Sequence, residues 1–146
     1  MGNLREIAAD PSKRTQVVGD ACAAIDEEVR SKSGLGGMAI KTAYKMLTSL
    51  APDMVTRTMD RLLDDFLDAV QPYYDEAKQK GQGVGAHIKA QSAQLTESLL
   101  SITDARAQRA ENGTMKKGYE RLRPSAAKHV AAGVPRLADV IERNFP

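Results

Sequence analysis

Tryptophan is absent from this 146-residue chain, phenylalanine occurs twice and tyrosine four times. Alanine, leucine, valine and methionine dominate the apolar share instead. Small and long unbranched side chains lose little entropy in a helix, whereas strands favour aromatic and β-branched ones. One cysteine excludes an intrachain disulfide and fits a reducing compartment. Two histidines and one cysteine without ligand spacing give zinc no donor set. Excess charge is lacking too: a net +2 implies neither a nucleic-acid nor a membrane partner. No apolar run reaches the roughly 18 residues of a membrane span, and residues 1–14 hold no signal-peptide core. Glu6 stands where a myristoylation signal carries Ser or Thr. The expectation is a soluble, cytoplasmic protein without a cofactor.

What is present is helical periodicity. Asp10-Pro11 reads as an N-cap followed by proline at the first helical position. Val18, Cys22, Ile25 and Val29 then form one apolar stripe, which the glycines of 33–37 stop. Ile40, Tyr44, Leu47 and Leu50 mark a second helix, ended at Ala51-Pro52-Asp53. Val55, Met59, Leu62, Phe66 and Val70, widened by Leu63 and Leu67, give the clearest stripe. Pro72 is expected to kink or end that helix. The glycine-rich 81–85 stretch reads as a mobile loop. Ile88, Leu95, Leu99 and Ile102 carry a further helix, ended by Asn112-Gly113. A short helix with Met115, Tyr119 and Leu122 follows. Pro124, Gly133 and Pro135 divide the tail into pieces bearing Val130, then Leu137 and Ile141. No stretch alternates with period two. The expected fold is a single all-α domain, a bundle of six or seven helices.

Sliding the chain over itself by 75 residues aligns seven identities, Lys41 with Lys116, Tyr44 with Tyr119 and Leu47 with Leu122 among them. Average composition gives roughly two. Two readings stay open: a pair of related units about a pseudo-twofold axis, or alanine-rich helices alike because a core demands it.

Three segments carry a resemblance: SGLGGMAIKTAYK at 33–45, ITDAR at 102–106 and KGYERLR at 117–123. Together they resemble a family of small, uncharacterised bacterial proteins, mostly actinobacterial. Gly36 diverges from that pattern, as does 51–54, where a basic residue and a Pro-Gly pair would stand. The resemblance implies one helical domain and supplies no mechanism.

Chemistry-bearing patterns are sparse. Lys41-Thr42 follows the glycine run, but Ile40 stands where a phosphate-binding loop needs glycine, and no strand precedes it. Asp60, Asp64 and Asp68 share a helix face with Arg57 and Arg61, which reads as a salt-bridged, solvated face rather than a cation site. Cys22 lies on an apolar stripe and behaves there as a small hydrophobe. Residues 114–146 carry seven basic residues against three acids, and 53–76 two against seven. Mutual attraction of these regions is the expectation.

The leading functional expectation is a non-enzymatic interaction protein that presents helical surface to a protein partner or to itself as a homodimer. Tyr73 and Tyr74 beside Pro72 are its foremost surface candidates, with Lys41, Tyr44 and Tyr119. The alternative is a carrier of a small apolar or amphiphilic ligand, motivated by adaptable methionines and scarce aromatic filling. An enzyme comes third. It requires a concave site gathering at least two of Lys41, Tyr44, Asp104, Tyr119 and His129.

Overall fold

A computed structural model describes residues 3–111 and 113–146, and every regular element among them is a helix. In chain order these are α1 (Leu4–Ile7), α2 (Pro11–Arg30), α3 (Gly34–Leu50), α4 (Met54–Gln79), α5 (Val84–Ala90), α6 (Ser92–Gln108) and α7 (Gly113–Asn144). Asp10 caps α2 as its sequence demands, its carboxylate accepting from the Lys13 amide at 3.2 Å with Pro11 in the first turn. The α4 stripe is also where expected: Leu62, Leu63, Leu67 and Val70 are buried. α7 lies against α2, α5 and α6, while α4 packs on α1, α2, α5 and α6. The shared core joins Leu4, Val17, Leu67, Ile88, Leu95, Val134, Ile141 and Phe145. Each such side chain contributes about 1.5–3 kcal/mol through burial.

Several boundaries differ from the periodicity reading. Pro72 does not end α4, and Pro124 and Pro135 lie inside one continuous α7. All three prolines stand on exposed positions. The carbonyl that each leaves unpaired therefore faces the water side, where the loss is least costly. Pro72→Ala restores that bond and should stabilise the protein by about 2 kcal/mol, after allowing for the freer unfolded chain. Urea midpoints measure it, and a lower midpoint would show that the ring, not the bond, matters.

The glycines of 34–37 are not a separating loop but the first turn of α3. Gly34 has φ +76°, which reverses the chain after the short 31–33 link. Gly37 passes the Lys32 backbone so closely that a Cβ would lie 2.9 Å from the Lys32 carbonyl carbon. Likewise 81–85 is no long loop, because α5 already begins at Val84. The one helix expected to carry Ile88, Leu95, Leu99 and Ile102 is divided at Gln91 into α5 and α6. Asn112, half of the expected cap, lies outside the described residues, as does the side chain of Met115.

The 75-residue doubling does not appear in the fold. Residues 40–66 comprise the end of α3, a turn at 51–53 and the start of α4, whereas their counterparts at 115–141 are one uninterrupted stretch of α7. The matched side chains are alike because helices in contact with a core need similar residues.

The charge asymmetry is resolved by other partners. Arg14 from α2 reaches Asp60 at 2.7 Å and Asp64 at 2.9 Å, and Arg5 from α1 reaches Asp68 at 2.6 Å. The acidic α4 face is thus salt-bridged, by arginines of α1 and α2 rather than by Arg57 and Arg61. The basic tail instead meets α2 and α6: Arg136 pairs with Glu27 and Glu28, Arg143 with Asp20 and Arg123 with Asp104.

Candidate functional site

Between α2, α4, α6 and α7 the side chains fail to meet, leaving a cavity of about 310 Å³. Alanine and valine on α2 and glycine and valine on α7 are too short to span the gap. Ala21, Ala24, Gly133 and Val134 line it from two sides, and Leu63, Phe66 and Leu67 close it from α4. α3 contributes Ile40 alone. Pockets that hold small ligands run from about 300 Å³ upward, and apolar cavities of about 150 Å³ stay dry and accept benzene-sized guests.

The polar residues of the wall gather toward one end. α2 and α7 run antiparallel: the Lys13 ammonium donates to the Asn144 carbonyl at 2.9 Å, and the Arg136 guanidinium donates to Glu28 at 3.1 Å. Val17 and Ile141 therefore mark one end of the lining, and Glu28, Lys32 and His129 the other. From Val17 to Val29 the helix rise makes the lining about 18 Å long. Thr103 adds a hydroxyl from α6.

Lys32 Nζ sits 2.7 Å from Glu28 Oε2, with both side chains mostly buried. Burial alone would raise the Glu28 pKa, but the hydrogen bonds from Lys32 and Arg136 outweigh it and hold the carboxyl below its usual range. Burial pushes His129 down, and the charges of Lys32 and Lys128 push it further against the pull of Glu28. Its imidazole is therefore neutral at pH 7. The depressed Glu28 pKa stabilises the fold fully above the unfolded value near 4.5, and that contribution is lost as pH falls through the folded value. Glu28→Gln should flatten the loss of stability below about pH 4.5. Urea unfolding across a pH series reads this, and an unchanged slope would remove Glu28 from the acid response.

The residues singled out from sequence are distributed differently. Tyr74 is no surface residue: it is 4 % exposed, and its hydroxyl donates to the Pro146 carbonyl at 3.3 Å. Tyr73 is half-buried against the same core. Lys41 and Tyr44 lie half-buried on α3, and among the described residues no hydrogen bond or ion pair joins either to Tyr119. Burial, with Asp26 and Cys22 behind it, raises the Tyr44 pKa. Cys22 borders the core, and burial raises its thiol, opposed by the Thr56 contact.

Tyr119 and Asp104 do meet. The Tyr119 hydroxyl donates to Asp104 Oδ1 at 2.5 Å and lies 2.8 Å from the Thr103 hydroxyl, while Arg123 grips both Asp104 oxygens at 2.8 and 3.0 Å. Arg123 and Tyr119 hold the Asp104 carboxyl low, and burial plus that carboxylate push Tyr119 up. An ionised, doubly gripped carboxylate and a firmly protonated phenol form a brace between α6 and α7, not a nucleophile–base pair. The sequence reading missed the cavity wall. Glu28 and Lys32 stand one turn apart, but His129 lies about 100 residues further along the chain, and scarcity of aromatics was the only herald of their meeting.

The fold and its cavity define a class: a small all-helical protein with an apolar pocket, partly open to solvent, between four of its helices. The chain belongs to DUF6918, a family of unknown function whose model matches residues 4–145. No curated protein and no solved structure matches it.

Proposed function

We propose that this protein binds a small apolar or amphiphilic molecule in the chamber between α2, α4, α6 and α7, and that it works as a carrier or sensor without catalysing a reaction. The observation that supports this is the chamber itself, about 310 Å³ with an almost wholly apolar wall. A void of that size forfeits packing that a few larger side chains would supply. A guest restores those contacts. The wall's polarity favours an elongated guest, its aliphatic body along Val17, Leu67 and Ile141 and its head at Lys32 and His129. Lys32 offers hydrogen-bond donors to such a head, neutral His129 can donate or accept, and the Thr103 hydroxyl, its proton committed to Tyr119, can accept.

The test is titration with N-phenyl-1-naphthylamine, an apolar fluorophore, together with native mass spectrometry of the purified protein. Saturable one-to-one enhancement, or a small-molecule adduct released by organic solvent, is expected. Absence of both, with an unchanged melting temperature in the presence of long-chain fatty acids, would end the reading.

A further inference from the structure

Among the described residues the large apolar side chains most exposed to solvent all stand on one helix. Leu35 is 93 % exposed, Met38 57 %, Met46 60 % and Leu50 81 %, and α3 carries all four. At 100° per residue they fall, with Ala39 and Ala43, on the side opposite Ile40, Tyr44 and Leu47. Leu50, expected to face inward, belongs to this outer face.

The charge around the face has one sign. From Val29 to Pro52 the chain holds four basic residues and no acid. Arg30 is neutralised by Asp26 at 3.0 Å and Lys32 by Glu28. At the far end Asp53 is taken by Arg57, also at 3.0 Å. Lys41 and Lys45 have no carboxylate partner among the described residues. They leave an apolar face edged by free positive charge.

We infer that the outer face of α3 docks on an anionic membrane surface, with Leu35, Met38, Met46 and Leu50 entering the headgroup boundary and Lys41 and Lys45 meeting the lipid phosphates. With Ile40, Tyr44 and Leu47 turned to the bundle, α3 can offer the bilayer one side only and so lies along the interface rather than across it. Its 17 residues give about 25 Å, short of the roughly 30 Å hydrocarbon core, and no helix among the described residues is long and apolar enough to cross a membrane. A second copy fits the face less well. A strip about 25 Å by 10 Å offers roughly 250 Å² where a stable interface needs about 800 Å² from each partner. Among the described residues no other large exposed apolar side chain extends the strip. The small net charge of the whole chain conceals this local excess.

Docking would also set α3, whose inward Ile40 reaches the chamber wall, between that chamber and the bilayer. That link rests on the ligand reading, but vesicle binding reads the docking alone, so either can fail without the other.

The experiment is co-sedimentation of the full chain with vesicles of phosphatidylcholine alone and of phosphatidylcholine with three-tenths phosphatidylglycerol. Binding to the anionic vesicles, weakened by salt, is expected. Met46→Glu with Leu50→Glu should reduce it tenfold or more. Lys41→Gln with Lys45→Gln should cost roughly 20-fold on anionic vesicles, since each basic residue near such a surface is worth about a factor of five. Both pairs change exposed or half-exposed residues, and circular dichroism confirms their helicity. Wild-type protein left in the supernatant with both vesicle types would overturn the inference, as would binding indifferent to both pairs. A wild-type dimer in sedimentation velocity that Met46→Glu with Leu50→Glu dissociates would assign the face to a second copy instead.

Discussion

Ala21→Leu combined with Ala24→Leu should raise the melting temperature and weaken apolar probe binding at least tenfold. Both alanines line the chamber from α2, one turn apart. Each substitution adds three carbons where the wall has none to meet. Burying a methylene group is worth about 0.8 kcal/mol, so even one productive leucine contributes about 2 kcal/mol. For a chain of this size that is a rise of about 4–8 °C. In a filled core the same insertion would be destabilising by about 1–3 kcal/mol. The sign of the change therefore reads the unfilled space of the chamber directly, apart from any ligand. Ala23→Leu, on the exposed side of the same helix, should leave both melting and probe binding nearly unchanged. Stabilisation with full probe binding would place the ligand elsewhere. Destabilisation would mean that the walls close in solution.

Much of the fold was legible because a core imposes period. The α4 stripe, the Asp10 cap and the inward Leu95 and Leu99 follow from residue spacing alone. Failures came where a local signal was weighed without its side of the helix. Proline breaks a buried helix face but is tolerated on an exposed one, and periodicity does not say that Pro72, Pro124 and Pro135 all face water. Leu50 shows the converse. Residues at 40, 44, 47 and 50 make an acceptable stripe, yet the last drifts off it, and only the neighbouring helices decide which apolar face of α3 is covered. The short α1 was overlooked although Leu4 and Ala8, four apart, are both fully buried.

The chamber was less legible, for a physical reason. A cavity is made by what side chains do not fill, and that shortfall is shared among helices far apart in sequence. Ala21, Gly133 and Leu99 are each unremarkable in their own windows. Ion pairing is similarly non-local: the aspartates of α4 were read against arginines on their own helix, but Arg5 and Arg14 reach them across the bundle. A composition rich in alanine and methionine and poor in aromatics was a hint of incomplete filling, not of its place.

Tyr74→Ala should be the most damaging single substitution considered, costing about 3–5 kcal/mol, while Tyr73→Ala costs about half as much. The two neighbours look equivalent in sequence and point differently in the bundle. Tyr74 is buried in the core shared with Leu4, Val70 and Phe145, so truncating it loses both transfer energy and packing. Its hydroxyl accounts for little of this. The bond to the Pro146 carbonyl is worth about 0.5–1.5 kcal/mol, and Tyr74→Phe should cost no more. Tyr73 is only partly covered and keeps some of its surface in water in either state. Native domains hold about 5–15 kcal/mol in reserve, so Tyr74→Ala alone brings the weaker end of that range to the edge of unfolding. Chemical denaturation of the three variants measures the order. Equal costs for Tyr73→Ala and Tyr74→Ala, or a mild Tyr74→Ala, would mean that α4 is rotated from this position. A rotation of that kind would also move Phe66 and Val70 out of the chamber wall. This pair of tyrosines therefore tests the orientation on which the cavity depends, by a route that needs no ligand.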